Sequence, residues 1–542
     1  MNMTLTRRWS RRVPLTALGV GLAALTLAAG GATAADAGHG TTASHTGGGP
    51  VVTTKDGTVR GEAVPGGYTF RGLPYAAAPS GDLRWRAPRP PAAWKGVRDA
   101  TDYGPNCLQP APTPTVGPQS EDCLYLNVST PKQPRRHAAV RPVLVLIHGG
   151  GLSLGAGRDY DPAKLAAEGT VVVTFNYRLG ALGFLAHPAL ASRPGGPAGN
   201  YGLMDQQAAL RWIRHNIGRF GGNPHNVTIA GESAGGLSVL NHLTSPGSRG
   251  LFQRAIVQSG AFALNQQSLA TAKAAGTAIA NKAGCADQSA TCLRALPAAA
   301  LVNAYPRAAI PGVVDGAVLK ESVGTALAAG RFARVPILNG SNHDEERLFL
   351  ATGAVLHNGT YAAAPKDVTA ENYRQTIASV LGVSGARARA IVRQYPLDSY
   401  ASPRLALSAL LGDANFACTA LQVDKWTSKR VPTFAYEFND DAAPARYQRL
   451  DPPVATHASE LPYLVDLPDA RFQDPLNRGQ RTLASHMRAA WAHFAASGNP
   501  STSAVHWPSF HRSTQVLSLQ PPKPRVEQDF ATRHHCSFWA MH

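Results

Sequence analysis

The chain has 542 residues, 44% of them hydrophobic and 16% charged, a balance that excludes a disordered protein and allows a large buried core. Its formal net charge is +18, yet the arginines are scattered, with no long basic run and no interleaved aromatic and basic motif. That argues against nucleic acid as a partner. At roughly 150 residues per domain the length allows about three domains, although large α/β proteins often exceed this in one unit.

The N-terminus reads as an export signal. Arg7, Arg8, Arg11 and Arg12 precede an apolar stretch from Leu15 to Ala29, and "GGATAADAG" follows. A charged segment, an apolar segment and small residues predict a signal peptide over 1–34, cleaved after Ala34 or Ala37, and hence a secreted protein. The paired arginines also fit a twin-arginine signal. The apolar stretch is shorter than the ~20 residues a membrane span needs, and no other stretch is long enough. These 34 residues carry four arginines and no acid, so the remainder stays strongly basic. Residues 35–50, rich in Gly, Thr and Ser, read as a flexible lead-in, and 51–542 as a single domain.

From residue 51, "VVTTKDGTVRGEAVPGGYTFRGLPYA" alternates β-formers with turn glycines and predicts antiparallel hairpins. Six cysteines in an exported chain predict disulfides, with 15 pairings open. Proximity favours Cys107 with Cys123 and Cys285 with Cys292. Cys418 with Cys536 would then tie the tail to the body, contributing about 4–5 kcal/mol in the loop-entropy view. From Pro142 the pattern changes. "PVLVLI", "TVVVTF", "NVTIA", "RAIVQ", "VPILN" and "PTFAYEF" are short continuous apolar runs, as in parallel strands covered by helices on both faces. Helical stretches alternate with them: "GLMDQQAALRWIRHNI", "RLALSALLGDANFACTALQVDKW" and "RTLASHMRAAWAHFAASGNP", the last stopped by Gly498 and Pro500. The fold class is therefore α/β, a mostly parallel sheet flanked by helices, with N-terminal antiparallel strands. The Ala-rich residues 266–334 read as a helical insertion between core strands.

Within this pattern, "VTIAGESAGG" sets Ser233 between Gly231 and Gly235, after a strand and before a helix. This is the context of a nucleophile elbow, where a strained turn lifts the serine hydroxyl clear of the sheet. The helix start supplies amide donors and a positive dipole end. "LVLIHGGGLSLG" ends another strand in His148-Gly149-Gly150-Gly151. Exposed amides there match an oxyanion loop, so the amides of Gly150, Gly151 and Ala234 are the expected oxyanion hole. With 18 histidines, composition selects no base. The order serine, acid, histidine points to "SNHDEERLF" for the acid and "ATHASELPY" for His457. His534-His535-Cys536 reads as an ordinary tail, and no metal site is expected.

"FRGLPYA", "SEDCLYLNV", "HGGG", "VVTFNYRLGALGFL", "GNYGLMDQQAALRWIRHNIGRFGGNPHNVTIAGESAGG", "LFQRAIVQSG" and "CSFW" together resemble the type-B carboxylesterases, which include the cholinesterases. The resemblance implies an α/β-hydrolase fold, a small-molecule ester substrate and no cofactor. It implies Ser233 as nucleophile, His457 as base, Glu345 as acid and Ser259 as a serine near the triad. It implies the same three disulfides, and ion pairs of Arg71 with Glu121 and Arg178 with Asp205. Some positions depart from the pattern: Glu346 follows the acid where the family has glycine, and Ala458 replaces the glycine after the histidine. Leu152 stands where an aromatic is usual, which is expected to widen the acyl side. The Cys107–Cys123 segment holds no tryptophan, so the ring that would bind a quaternary ammonium is missing and choline esters are disfavoured. A binding protein that has lost its triad is the rival class, but all three positions are filled. Nothing in the sequence specifies an oligomeric state.

Overall fold

The six apolar runs form consecutive members of an eleven-stranded sheet. In chain order its strands are β1 (Glu62–Val64), β2 (Gly67–Pro74), β3 (Tyr125–Pro131), β4 (Arg141–Ile147), β5 (Val171–Phe175), β6 (Gly222–Glu232), β7 (Arg254–Gln258), β8 (Ile337–Asn342), β9 (Thr433–Phe438), β10 (Val516–Leu519) and β11 (Arg525–Glu527). They lie in the order β11-β10-β9-β8-β7-β6-β4-β5-β3-β2-β1. β5 to β10 and β4 are mutually parallel, while β1 to β3 and β11 are antiparallel edges. This computed structural model describes residues 48–132, 140–190, 196–306, 312–357, 360–510 and 514–540. The expected signal peptide and most of the lead-in lie outside the described residues.

Strand periodicity explains the continuous apolar runs. Val143, Val145, Ile229 and Val257 face α1 (Tyr201–Asn216) and α2 (Ala234–Thr244), packing with Leu210, Ile213, Val239 and Leu240. Their neighbours Leu144, Ala230, Ile256 and Leu338 point the other way, onto Leu483, Met487, Trp491 and Phe494 of a helix over Arg478–Ser497. With helices on both faces, either parity must be apolar. That helix starts on an Asn477–Gln480 capping box and ends on Gly498 at φ 84°, as its sequence predicts.

The stretch expected as one helix over 404–426 is instead two, Pro403–Gly412 and Cys418–Thr427, joined by a π-turn at Asp413–Ala417. Among the described residues after Gln266 there are four helices, the first of 14 residues and the others short, and a two-residue parallel strand pair between β7 and β8. β10 was not anticipated, because "VLSL" is too short to carry a pattern.

All three disulfides pair as expected, Cys107–Cys123, Cys285–Cys292 and Cys418–Cys536. Arg178 grips Asp205 with a fork, both contacts at 2.7 Å and both groups buried. The expected Arg71–Glu121 pair is corrected. Arg84 takes Glu121, through Nε and Nη2 at 2.6 Å each, while Arg71 bonds Glu62 at 2.6 Å. Glu62 lies opposite Thr69 in the β1–β2 hairpin, so Arg71, two residues on, is its diagonal neighbour on the same face.

Candidate active site

The Ser233 turn sits at the C-terminal end of β6, where α2 begins. Ser233 has φ 57° and ψ −124°, a conformation costing about 1–3 kcal/mol for a residue with a side chain. Neighbouring backbone holds it there: a Cβ at Gly231 would lie 2.3 Å from the Gly235 carbonyl carbon, and one at Gly235 only 2.0 Å from Ile147 O. The two glycines of the motif are thus required by close approach, and the second seats the start of α2 against the end of β4.

The glycine loop His148–Gly151 runs on from β4. A Cβ on Gly149 would stand 3.2 Å from Ser233 Cβ, which places this loop alongside the nucleophile turn. Gly150 and Gly151 have φ 98° and 63°. Leu154 and Ser153 amides donate back to Gly150 O. Among the described residues the amides of Gly150, Gly151 and Ala234 donate to no protein acceptor, so they are free for a ligand oxygen. His148 is buried and stacks on Tyr177 at 4.3 Å, with burial pushing it down to about 4, so it is a neutral prop.

His457 stands in the loop after β9. Its Nδ1 lies 2.5 Å from Glu345 Oε2, and its Nε2 3.2 Å from Glu232 Oε1, the residue before Ser233. The Ser233 hydroxyl makes no hydrogen bond among the described residues. Glu345 is buried just ahead of the short helix Glu346–Ala351, and its other oxygen accepts the Asn342 amide at 2.8 Å. Glu346 turns away: its Oε1 accepts from Asn415 of the π-turn at 3.0 Å, and burial pushes it up to about 8. The two adjacent glutamates are thereby distinguished, with Glu345 the one against the imidazole. Phe349 and Phe416 pack on the His457 ring at 4.8 and 5.5 Å.

Gln258 and Trp491 have no signal of their own in the sequence. Asn342 donates its side-chain amide to Glu460 Oε2 at 2.8 Å, and Gln258 donates to Glu460 Oε1 at 3.0 Å. Trp491 in turn donates to Gln258 at 3.2 Å. This chain of bonds holds the backing of Glu345 to the helix under the sheet. Glu232 could have been singled out from its place inside the motif. Ser259, just after β7, has φ 50° and a buried hydroxyl with no hydrogen-bond partner, and its amide donates to Gly340 O at 2.8 Å.

Electrostatics follow from burial. Burial lowers His457, but Glu232 and Glu345 outweigh it and raise the imidazole to about 9. Burial pushes Glu232 up to about 8 against the opposing pull of His457. His534, expected as tail, is instead buried between Asp413 at 2.5 Å and Glu437 at 2.6 Å, with His343 beside it. Ligand atoms of His343, Glu437 and His534 lie within 4.8 Å of one another, but both nitrogens of His534 are already engaged by carboxylates.

A profile of the carboxylesterase family matches residues 48–539. The chain is 37% identical over 497 residues to the fumonisin B1 esterase of Sphingopyxis macrogoltabida, covering 86% of this chain and 85% of that one. It is 34% identical over 504 residues to the para-nitrobenzyl esterase of Bacillus subtilis (strain 168), covering 88% and 96%. A solved PNB esterase structure superposes with a TM-score of 0.76 at 32% identity, covering 90% of this chain and 98% of that one.

Proposed function

We propose, from the premise that this chain belongs to the carboxylesterase family and is a carboxylic ester hydrolase of α/β-hydrolase fold, that it is an exported serine esterase working through an acyl-serine intermediate. Ser233 is the nucleophile, His457 the general base and Glu345 its orienting acid. The observation that carries this reading is His457, held on Glu345 through Nδ1 with Nε2 3.2 Å from the carboxylate of Glu232, the residue before Ser233. Nε2 takes the hydroxyl proton as Ser233 Oγ adds to the ester carbonyl. The carbonyl oxygen becomes negative between the amides of Gly150, Gly151 and Ala234, each such donor contributing about 3–4 kcal/mol. Collapse expels the alcohol, which receives the proton from His457, and leaves the acyl group on Oγ. Water, deprotonated by the same nitrogen, then releases the acid and restores the serine. No step calls for a cofactor.

Export is supported by three disulfides and by the arginine, apolar and small-residue pattern before residue 35. Lipases and hydrolases of polyesters or carbamates share this chemistry and differ in the acyl pocket. The test is hydrolysis of p-nitrophenyl esters from acetyl to palmitoyl by the mature enzyme, with Ser233→Ala as control. A short-chain optimum abolished in the control supports a carboxylesterase. A long-chain optimum moves the protein to the lipases, and full turnover by the folded control overturns the mechanism.

A further inference from the structure

Away from the catalytic turn, a cavity of about 490 Å³ lies beside the N-terminus of α1. Its volume is within the ~300–1,000 Å³ usual for small-molecule sites. Trp85, Arg86 and Arg89 line one wall, Tyr201 and Met204 a second, and Arg294 a third. Tyr201 and Met204 are three residues apart, and so share one face of α1. Among the described residues none of the three arginines forms an ion pair, and no acidic residue lines the cavity. Arg294 Nε is buried at the back of its wall with no hydrogen-bond partner.

The walls are also held from behind. Trp85 donates its indole N–H to Ala181 O at 2.8 Å. Buried Arg178 donates to the Arg86 carbonyl at 2.9 Å, and Arg84 to the Arg294 carbonyl at 3.0 Å. The backbone of Arg86 and Arg294 is thus held by arginines of two ion pairs, the buried Arg178–Asp205 and the half-buried Arg84–Glu121.

We propose that this cavity is a binding site for an organic carboxylate with an apolar body. Planar guanidinium groups match a carboxylate fork, and Ala87, Pro88 and Met204 offer apolar surface for the remainder of the ligand. This is the chemical class of acid that ester hydrolysis releases, but the site stands on its own residues and does not depend on the catalytic reading.

The test is calorimetric titration of the full mature chain, in a Ser233→Ala background, with octanoate, octanamide, octylammonium and inorganic phosphate. Octanoate is expected to bind, with octanamide and octylammonium at least tenfold weaker. Arg89→Gln and Arg294→Gln are each expected to weaken octanoate at least tenfold with an unchanged melting temperature. Should Arg294→Gln fail to fold, Arg89→Gln decides, because Arg89 is exposed. Octanoate binding that neither substitution alters overturns the proposal, since the ligand then sits elsewhere. Equal binding of octanamide shows that charge is not read and overturns it too. Phosphate binding as tightly as octanoate, with the same arginine dependence, overturns the apolar half.

Discussion

Gly235→Ala tests whether the nucleophile turn depends on backbone contact. The new Cβ would sit 2.0 Å from Ile147 O, 2.9 Å from Ile147 C and 3.0 Å from His148 O. Non-bonded heavy atoms prefer about 3.5 Å, so the start of α2 and the end of β4 must separate by roughly 1.5 Å. Both sides of that gap carry site groups: Ser233 and Ala234 on one, and the strand leading into Gly149–Gly151 on the other. Overpacking of this kind costs about 1–3 kcal/mol in stability. A misplacement of roughly 1 Å between reacting groups costs about 10²-fold in rate. The expectation is therefore kcat/KM on p-nitrophenyl acetate reduced about 10²-fold, with a melting temperature lower by only a few degrees. Gly218→Ala, where a Cβ meets nothing within 4 Å, serves as control and should match the parent. Parent-like kcat/KM and melting temperature in Gly235→Ala would refute the argument, because the two segments could then part at no cost.

His457 must be neutral to act as base, and its neighbours raise it to about 9, so kcat/KM should climb with pH to a midpoint above the ordinary value of about 6.5. A profile from pH 5 to 10 checks this, and a midpoint at or below 6.5 counts against the two flanking carboxylates. Glu345→Gln should lower kcat roughly 10³–10⁴-fold, since the amide misorients the imidazole. Glu346→Gln should leave kcat within a few-fold, because that carboxyl is pushed up to about 8 and is already neutral at pH 7. Asp205→Ala leaves buried Arg178 uncompensated and should destabilise by about 3–5 kcal/mol in denaturant titration. His534 is raised to about 10, burial being outweighed by Asp413 and Glu437, so it stabilises fully below pH 6.5 and loses that contribution as pH rises towards 10. Glu437 is lowered to about 2 despite burial, chiefly by His534, so its contribution is present above 4.5 and lost as pH falls towards 2. Thermal melts from pH 3 to 10 should therefore fall at both ends, and His534→Gln should flatten the alkaline side.

The sheet was legible because parallel strands buried on both faces write themselves as unbroken apolar runs, and each of the six expected runs is a strand. The Ser233 turn and the glycine loop were legible for a different reason. Both are local devices whose backbone needs glycine at fixed positions, and such needs act within a few residues. The single helix expected over 404–426 is divided, because its apolar pattern continues through Asp413–Ala417 while the backbone there widens into a π-turn. That widened turn carries Asn415 to Glu346 and Phe416 to the imidazole.

What the sequence determined by itself was therefore everything set over short range: the strand and helix alternation, the strained Ser233 turn, the glycine loop and the near disulfides. The tertiary structure alone decided the partners. Arg84 rather than Arg71 meets Glu121, since a hairpin register already commits Arg71 to Glu62. Glu345, the acid that the family resemblance implies, faces His457, and the structure supplies the reason: Asn342 holds it there while Asn415 draws Glu346 away. Side-chain type records that a charge is present, but which charge it meets depends on distances that exist only once strands far apart in the chain lie side by side.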